Sequence, residues 1–227
     1  MLTELERIPG AAEWNLASVQ ALHRFYARAS ERHGAMGSPQ ASGPGGVQGV
    51  PPIQVEERVV ASWMTWQDRE HAIADNIAYV DRVIESVSMT QAVHSLDAVE
   101  GSFAPHPVEI VFVGFSQGTA MAYRAGVLGK HRVSGIIALG GDIPPDVRDA
   151  RDRAWPPLLI GAGATDFWYT SSKVSADVAF LESREIPFEI IRSSAGHEWT
   201  DEFRATAGAW LTRVGRTTAA SSVQPAR

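Results

Sequence analysis

Apolar positions along this chain switch between two periods. Residues 108–113 (Val-Glu-Ile-Val-Phe-Val) are β-branched and nearly continuous, which predicts a strand covered on both faces. Residues 133–139 and 157–162 read the same way, and residues 188–192 predict a fourth strand. The intervening stretches follow helical spacing. Over residues 66–87, Ile73, Ile77, Val80 and Ile84 mark one face. Residues 117–128 predict a helix closed by Gly129. Residues 172–184 predict another, capped by Ser171 or Ser172, and residues 200–214 a closing amphipathic helix. Near the start, residues 16–22 form a short apolar run that reads as a strand. Strand and helix in alternation predict an α/β fold, a mostly parallel sheet with helices on both faces. In such sheets chemistry collects at the carboxyl ends of the strands.

Two segments break the pattern. Residues 34–50 are rich in Gly, Pro and Ser with no apolar period, which predicts a flexible loop. Residues 216–227 are small and polar and read as a frayed tail. The expectation is a single domain over residues 1–215. Composition agrees: 44% hydrophobic and 20% charged residues in a chain of 227 suit a globular core. A net charge of −6 gives no reason to expect nucleic acid or an anionic membrane surface as partner. With no cysteine there is no disulfide framework, thiolate metal site or cysteine nucleophile. No apolar run approaches a membrane span. The opening residues are acidic where a secretory signal would be basic and apolar, so the expected location is the cytoplasm.

The candidate chemistry sits where strand 108–113 runs into Gly114-Phe115-Ser116-Gln117-Gly118 and a helix follows. G-x-S-x-G in strand–turn–helix context is the setting of a nucleophilic serine, whose Oγ a strained turn lifts clear of the backbone. Side chains two residues to either side are expected to clash in that turn, hence glycine at both places. The N–H of Gln117, at a helix N-terminus, is a ready oxyanion donor. A serine hydroxyl needs a base. Of seven histidines only His131 and His197 follow the serine, and His131 lies far along the same helical segment. His197 comes just after the last predicted strand. An acid is expected after a strand between the two. Asp166 directly follows strand 157–162, and Asp142 after strand 133–139 is its rival.

Together these residues carry a family resemblance over about residues 16–214. Val113-Gly114-Phe115-Ser116-Gln117-Gly118, Gly163-Ala164-Thr165-Asp166 and Ala195-Gly196-His197-Glu198-Trp199 resemble the motifs of the phospholipase/carboxylesterase group of small α/β-hydrolases, which includes acyl-protein thioesterase-like enzymes. The resemblance implies Ser116 as nucleophile, Asp166 as acid, His197 as base, small-molecule ester or thioester substrates, and no cofactor. The segment 138–144, with Asp142 and Ile143, looks like the one lining the acyl pocket in that group. Trp168 and Trp199 either wall such a pocket or pack the core.

One departure stands out. The group carries an earlier strand ending in a His-Gly loop that supplies a second oxyanion N–H. Here the only His-Gly is His33-Gly34, after a polar, helix-like stretch. The family-like part is expected to begin in the helix after that strand, at residues 2–8. The expectation is an N-terminally truncated sheet, either because the true start lies upstream of Met1 or because the protein is shortened, and with it a weak or poorly stable esterase. A non-catalytic ligand-binding protein of the same fold is the alternative from another class.

Overall fold

The computed structural model describes residues 1–27, 58–63, 67–96 and 108–221. Loop 34–50, His33-Gly34 and Trp66 lie outside them. Strands β3 (Val111–Phe115), β4 (Gly135–Leu139), β5 (Leu158–Gly163) and β6 (Phe188–Ser193) pair in that order as a parallel sheet. Each crossover carries a helix: α3 (Gln117–Leu128), the short α4 (Pro145–Asp149) and α5 (Ser171–Ser183), with α6 (Asp201–Ser221) after β6. Before the sheet come α1 (Leu2–Glu6), a single 3₁₀ turn (Ala11–Glu13), β1 (His23–Ala27), β2 (Arg58–Ser62) and α2 (Arg69–Leu96). The outcome is the α/β fold that the alternating pattern predicts.

Period-two alternation in the central strands divides the core into two faces. Ile136 and Ala138 of β4, with Leu158, Ile160 and Ala162 of β5, meet Ala122, Tyr123 and Val127 of α3 and Val174 and Leu181 of α5. Ile137, Leu139 and Leu159 point the other way, onto Phe203, Ala207, Trp210 and Leu211 of α6 and onto Leu5, Ile8 and Ala11. Those four α6 positions form one helical stripe. The residues of β4 are all buried, as a strand covered on both faces requires, and each large aliphatic side chain there contributes roughly 1.5–3 kcal/mol. Helix α3 is covered twice, because Met121 and Ala125 on its far side meet Val80 of α2.

Three elements differ from the sequence expectation. Residues 16–22 are not a strand: Leu16 packs into the α6 cluster and Val19 into the α2–α3 cluster, so the segment crosses from one cluster to the other rather than joining a ladder. The strand begins instead at His23 and pairs antiparallel with β2, apart from the main sheet. Helix α2 runs to Leu96 and α6 to Ser221, beyond the expected ends at 87 and 214. Among the described residues β3 has no strand on its outer side. No described helix is long and apolar enough to cross a membrane.

Candidate active site

Ser116 sits between β3 and α3 with φ +55° and ψ −125°, a region that L-residues rarely adopt. Such a conformation costs of order 1–3 kcal/mol and persists only where its surroundings enforce it. The enforcing contacts are visible. The Ser116 N–H donates to the Leu139 carbonyl (3.0 Å), and the Thr119 N–H donates back to the Ser116 carbonyl (3.0 Å). The Thr119 hydroxyl also donates to the Leu139 carbonyl (3.0 Å). At Gly114 a Cβ would lie 2.5 Å from the Thr119 Cα, so the turn admits no side chain there. Gly118 departs from the expected symmetry. Beyond its chain neighbours and the backbone of its own helix, nothing among the described residues lies within 4 Å of a Cβ at that position. It starts the helix on the open side of the turn, so steric need explains only the first glycine of the pair.

The loops after β5 and β6 are zipped together beyond the strand ends. The Ala164 N–H donates to the Ser193 carbonyl (2.9 Å) and the Thr165 N–H to the Ala195 carbonyl (3.1 Å). This brings Asp166 to His197, whose Nδ1 lies 2.8 Å from Asp166 Oδ2. The other carboxylate oxygen accepts the N–H groups of Trp168 (2.7 Å) and Tyr169 (3.0 Å). Burial of Asp166 pushes its pKa up. The bonds from the Tyr169 N–H, the His197 imidazole and the Trp168 N–H outweigh that and hold the carboxyl below its ordinary value. An ionised carboxylate only accepts, so the proton between the two belongs to His197 Nδ1.

Two contacts connect this pair to the serine turn. The imidazole stacks on the ring of Phe115, immediately before Ser116, with centroids 4.9 Å apart. On another side, Gly140, with φ +66°, faces the imidazole so closely that a Cβ would sit 3.0 Å from Cε1. At the next residue, Gly141, a Cβ would lie 2.7 Å from the Ser116 carbonyl oxygen. Ser116, His197 and Asp166 therefore share one end of the sheet, at the carboxyl ends of β3, β5 and β6. Asp142, the rival acid, is half-exposed and pairs with Lys173 (3.1 Å). His131 lies beyond the other end of α3, its Nε2 3.3 Å from the Asp81 carbonyl.

The remaining candidates separate. Trp168 stands 73% exposed beside Asp166, next to Phe167 at 90%. Trp199 is partly buried among Phe115 and Phe203. Ile143 is only 1% exposed and packs in the core, so it supports the site from behind. The Gln117 side chain has a role that its motif position does not announce. Its Oε1 accepts the Trp63 N–H (2.9 Å), while Asn76 Nδ2 donates to the Trp63 carbonyl (2.8 Å). The elbow thus anchors the chain leaving β2. Phe115 reads in the sequence as a core-like aromatic, and only its adjacency to Ser116 could have flagged it. Tyr169, which the sequence offers with Trp168 as a pocket wall, is instead wholly buried and gives its N–H to Asp166. Among the described residues no group of His, Asp or Glu could hold a metal ion.

Residues 59–153 match the model of a family described as phospholipase/carboxylesterase. The likeness is to the phospholipase/carboxylesterase group. The matched stretch carries β2, α2, the Ser116 turn and the 140–145 loop, and it ends before Asp166 and His197. Among solved structures, a single-site variant of Arabidopsis thaliana SOBER1 is 18% identical, with a TM-score of 0.52 over 70% of this chain and 76% of that one. That comparison establishes a shared α/β-hydrolase fold. A Bacillus cereus carboxylesterase is 14% identical, with a TM-score of 0.49 over 66% of each chain. Zea mays acyl-protein thioesterase 2 is 16% identical, with a TM-score of 0.47 over 70% of this chain and 74% of that one. No curated protein sequence matches the chain. The strand with a His-Gly oxyanion loop that this group implies has no counterpart among the described residues.

Proposed function

We propose that the chain is a serine hydrolase that cleaves carboxylic esters or thioesters of small molecules through an acyl-enzyme on Ser116. The observation that carries this reading is the strained Ser116 turn lying against a histidine whose Nδ1 is fixed by a buried carboxylate. Ser116 Oγ attacks the substrate carbonyl as His197 Nε2 takes its proton. Asp166 holds the imidazole tautomer and stabilises the imidazolium without taking a proton itself. The Gln117 N–H, free at the first turn of α3, meets the oxyanion. His197 then returns the proton to the leaving alcohol or thiol. Water clears the acyl group by the same route, and no cofactor takes part. The exposed Trp168 beside Asp166 and the partly buried Trp199 offer apolar surface for the acyl portion.

A fluorophosphonate probe tests this directly. The folded wild-type chain is expected to be labelled on Ser116 and to turn over p-nitrophenyl esters, with both signals absent in Ser116→Ala. Folded protein that resists labelling, or labelling that survives in Ser116→Ala, refutes the reading in favour of a binding protein of the same fold.

A further inference from the structure

Asp177 is wholly buried on α5, and the mechanism above makes no use of it. A carboxylate in that position is costly unless several partners compensate. Here the partners come from three elements. Its Oδ2 accepts the Tyr169 hydroxyl (2.9 Å) and the Ile143 N–H (3.2 Å), and its Oδ1 meets the Arg148 guanidinium of α4. Arg148 in turn donates from Nε to the Ile143 carbonyl (3.2 Å) and lies 5.1 Å over the Phe180 ring. The Asp177–Arg148 pair therefore grips both peptide groups of Ile143.

Each gripped loop ends on the candidate site. Tyr169 gives its hydroxyl to Asp177 and its backbone N–H to Asp166. Ile143 lies in the short loop that passes between the His197 imidazole and the Ser116 carbonyl so closely that a Cβ at Gly140 would lie 3.0 Å from the one and a Cβ at Gly141 2.7 Å from the other. Asp177 itself has no hydrogen bond to Ser116, His197 or Asp166.

Building on the serine-hydrolase reading, we propose that Asp177 is a positioning residue: its carboxylate clamps the loop that carries Asp166 to the loop that lies between His197 and Ser116, and protonating it loosens both. The groups facing it are Tyr169 from the β5–α5 loop, Arg148 from α4, Tyr123 from α3 and Asp142 from the β4–α4 loop. Tyr123 is also wholly buried, its hydroxyl unpaired among the described residues. Burial drives the Asp177 pKa up to about 6, against the Tyr169 bond and the Arg148 charge. Above that value the carboxylate accepts from all three partners. Below it, one oxygen carries a proton and an acceptor position is lost. Protonation of Asp177 then adds its own loss of activity on the acid side of the profile.

The test is the pH dependence of kcat/KM for an activated ester, with fluorophosphonate labelling in parallel. Asp177→Asn is expected to lower kcat on the order of tenfold at pH 8, with KM within about twofold. Going into acid, wild-type activity is expected to fall about tenfold further than that of Asp177→Asn, so that the two profiles converge below the Asp177 step. Tyr169→Phe keeps the ring and removes one bond to the carboxylate, so its acid limb moves toward neutral pH. That variant decides the matter if Asp177→Asn fails to fold. Wild-type and Asp177→Asn profiles that stay parallel at every pH, with the Tyr169→Phe profile only scaled down, overturn the proposal while leaving the labelled hydrolase intact. Absence of labelling in the wild type overturns both.

Discussion

Ser116 shows how much of a motif is physical necessity. Its positive φ is enforced by bonds to Leu139 and Thr119 and by a backbone so close to Gly114 that no Cβ fits. Gly118 meets no such constraint, and its φ is not positive. The two glycines therefore predict opposite outcomes for one substitution. Gly114→Ala forces the turn against the Thr119 backbone, with an expected loss of about 1–3 kcal/mol in urea unfolding and at least roughly tenfold slower probe labelling. Gly118→Ala relieves the entropic cost of glycine in a helix, with an expected gain of up to about 0.5–1 kcal/mol and labelling within about twofold of wild type. Equal effects of the two changes would show that the turn tolerates side chains on both sides or on neither.

Between elements, the decisive junction is the pairing of the β5 and β6 loops that carries Asp166 to His197. Because the Asp166 carboxyl is held below its ordinary value, its folded form binds fewer protons than the unfolded chain near pH 4. Its stabilising contribution is complete above the unfolded pKa of about 3.9 and fades as pH falls through the folded one. The stability gap between wild type and Asp166→Asn is thus expected to be constant near neutrality and to close in acid, as read by urea unfolding at a series of pH values. A gap that persists unchanged to pH 2 would mean that packing, not charge, sets it. This junction was legible in the sequence because continuous apolar strands and a glycine-rich turn are local signals: β3 to β6, α3 and α5 lie within a few residues of their expected places. The strand expected at residues 16–22 was not, since a run of small and apolar residues records burial but not whether a hydrogen-bonding neighbour exists. Asp177 was equally invisible, a lone acid inside a helical pattern whose partners come from α4 and from two loops.

At the scale of the molecule, residues that precede the sheet close one of its faces. Leu5, Ile8 and Ala11 share a cluster with Phe203, Trp210 and Leu211 of α6, and Arg204 of α6 donates to Glu4 (3.0 Å). The backbones approach closely at Gly208, where an added Cβ would lie 2.3 Å from the Pro9 carbonyl oxygen. Glycine in the interior of α6 costs about 0.5–1 kcal/mol of helix propensity relative to alanine. That cost is offset because only a bare Cα lets the chain cross there. Gly208→Ala should therefore lower stability despite improving the helix, by about 1–3 kcal/mol as the crossing is pushed off and the apolar cluster beneath it opens. The same substitution thus carries opposite signs in α3 and α6, and tertiary contact alone sets the difference. Urea unfolding of Gly208→Ala measures it, and a midpoint at or above wild type would show that the 1–14 segment is not held against α6 in solution.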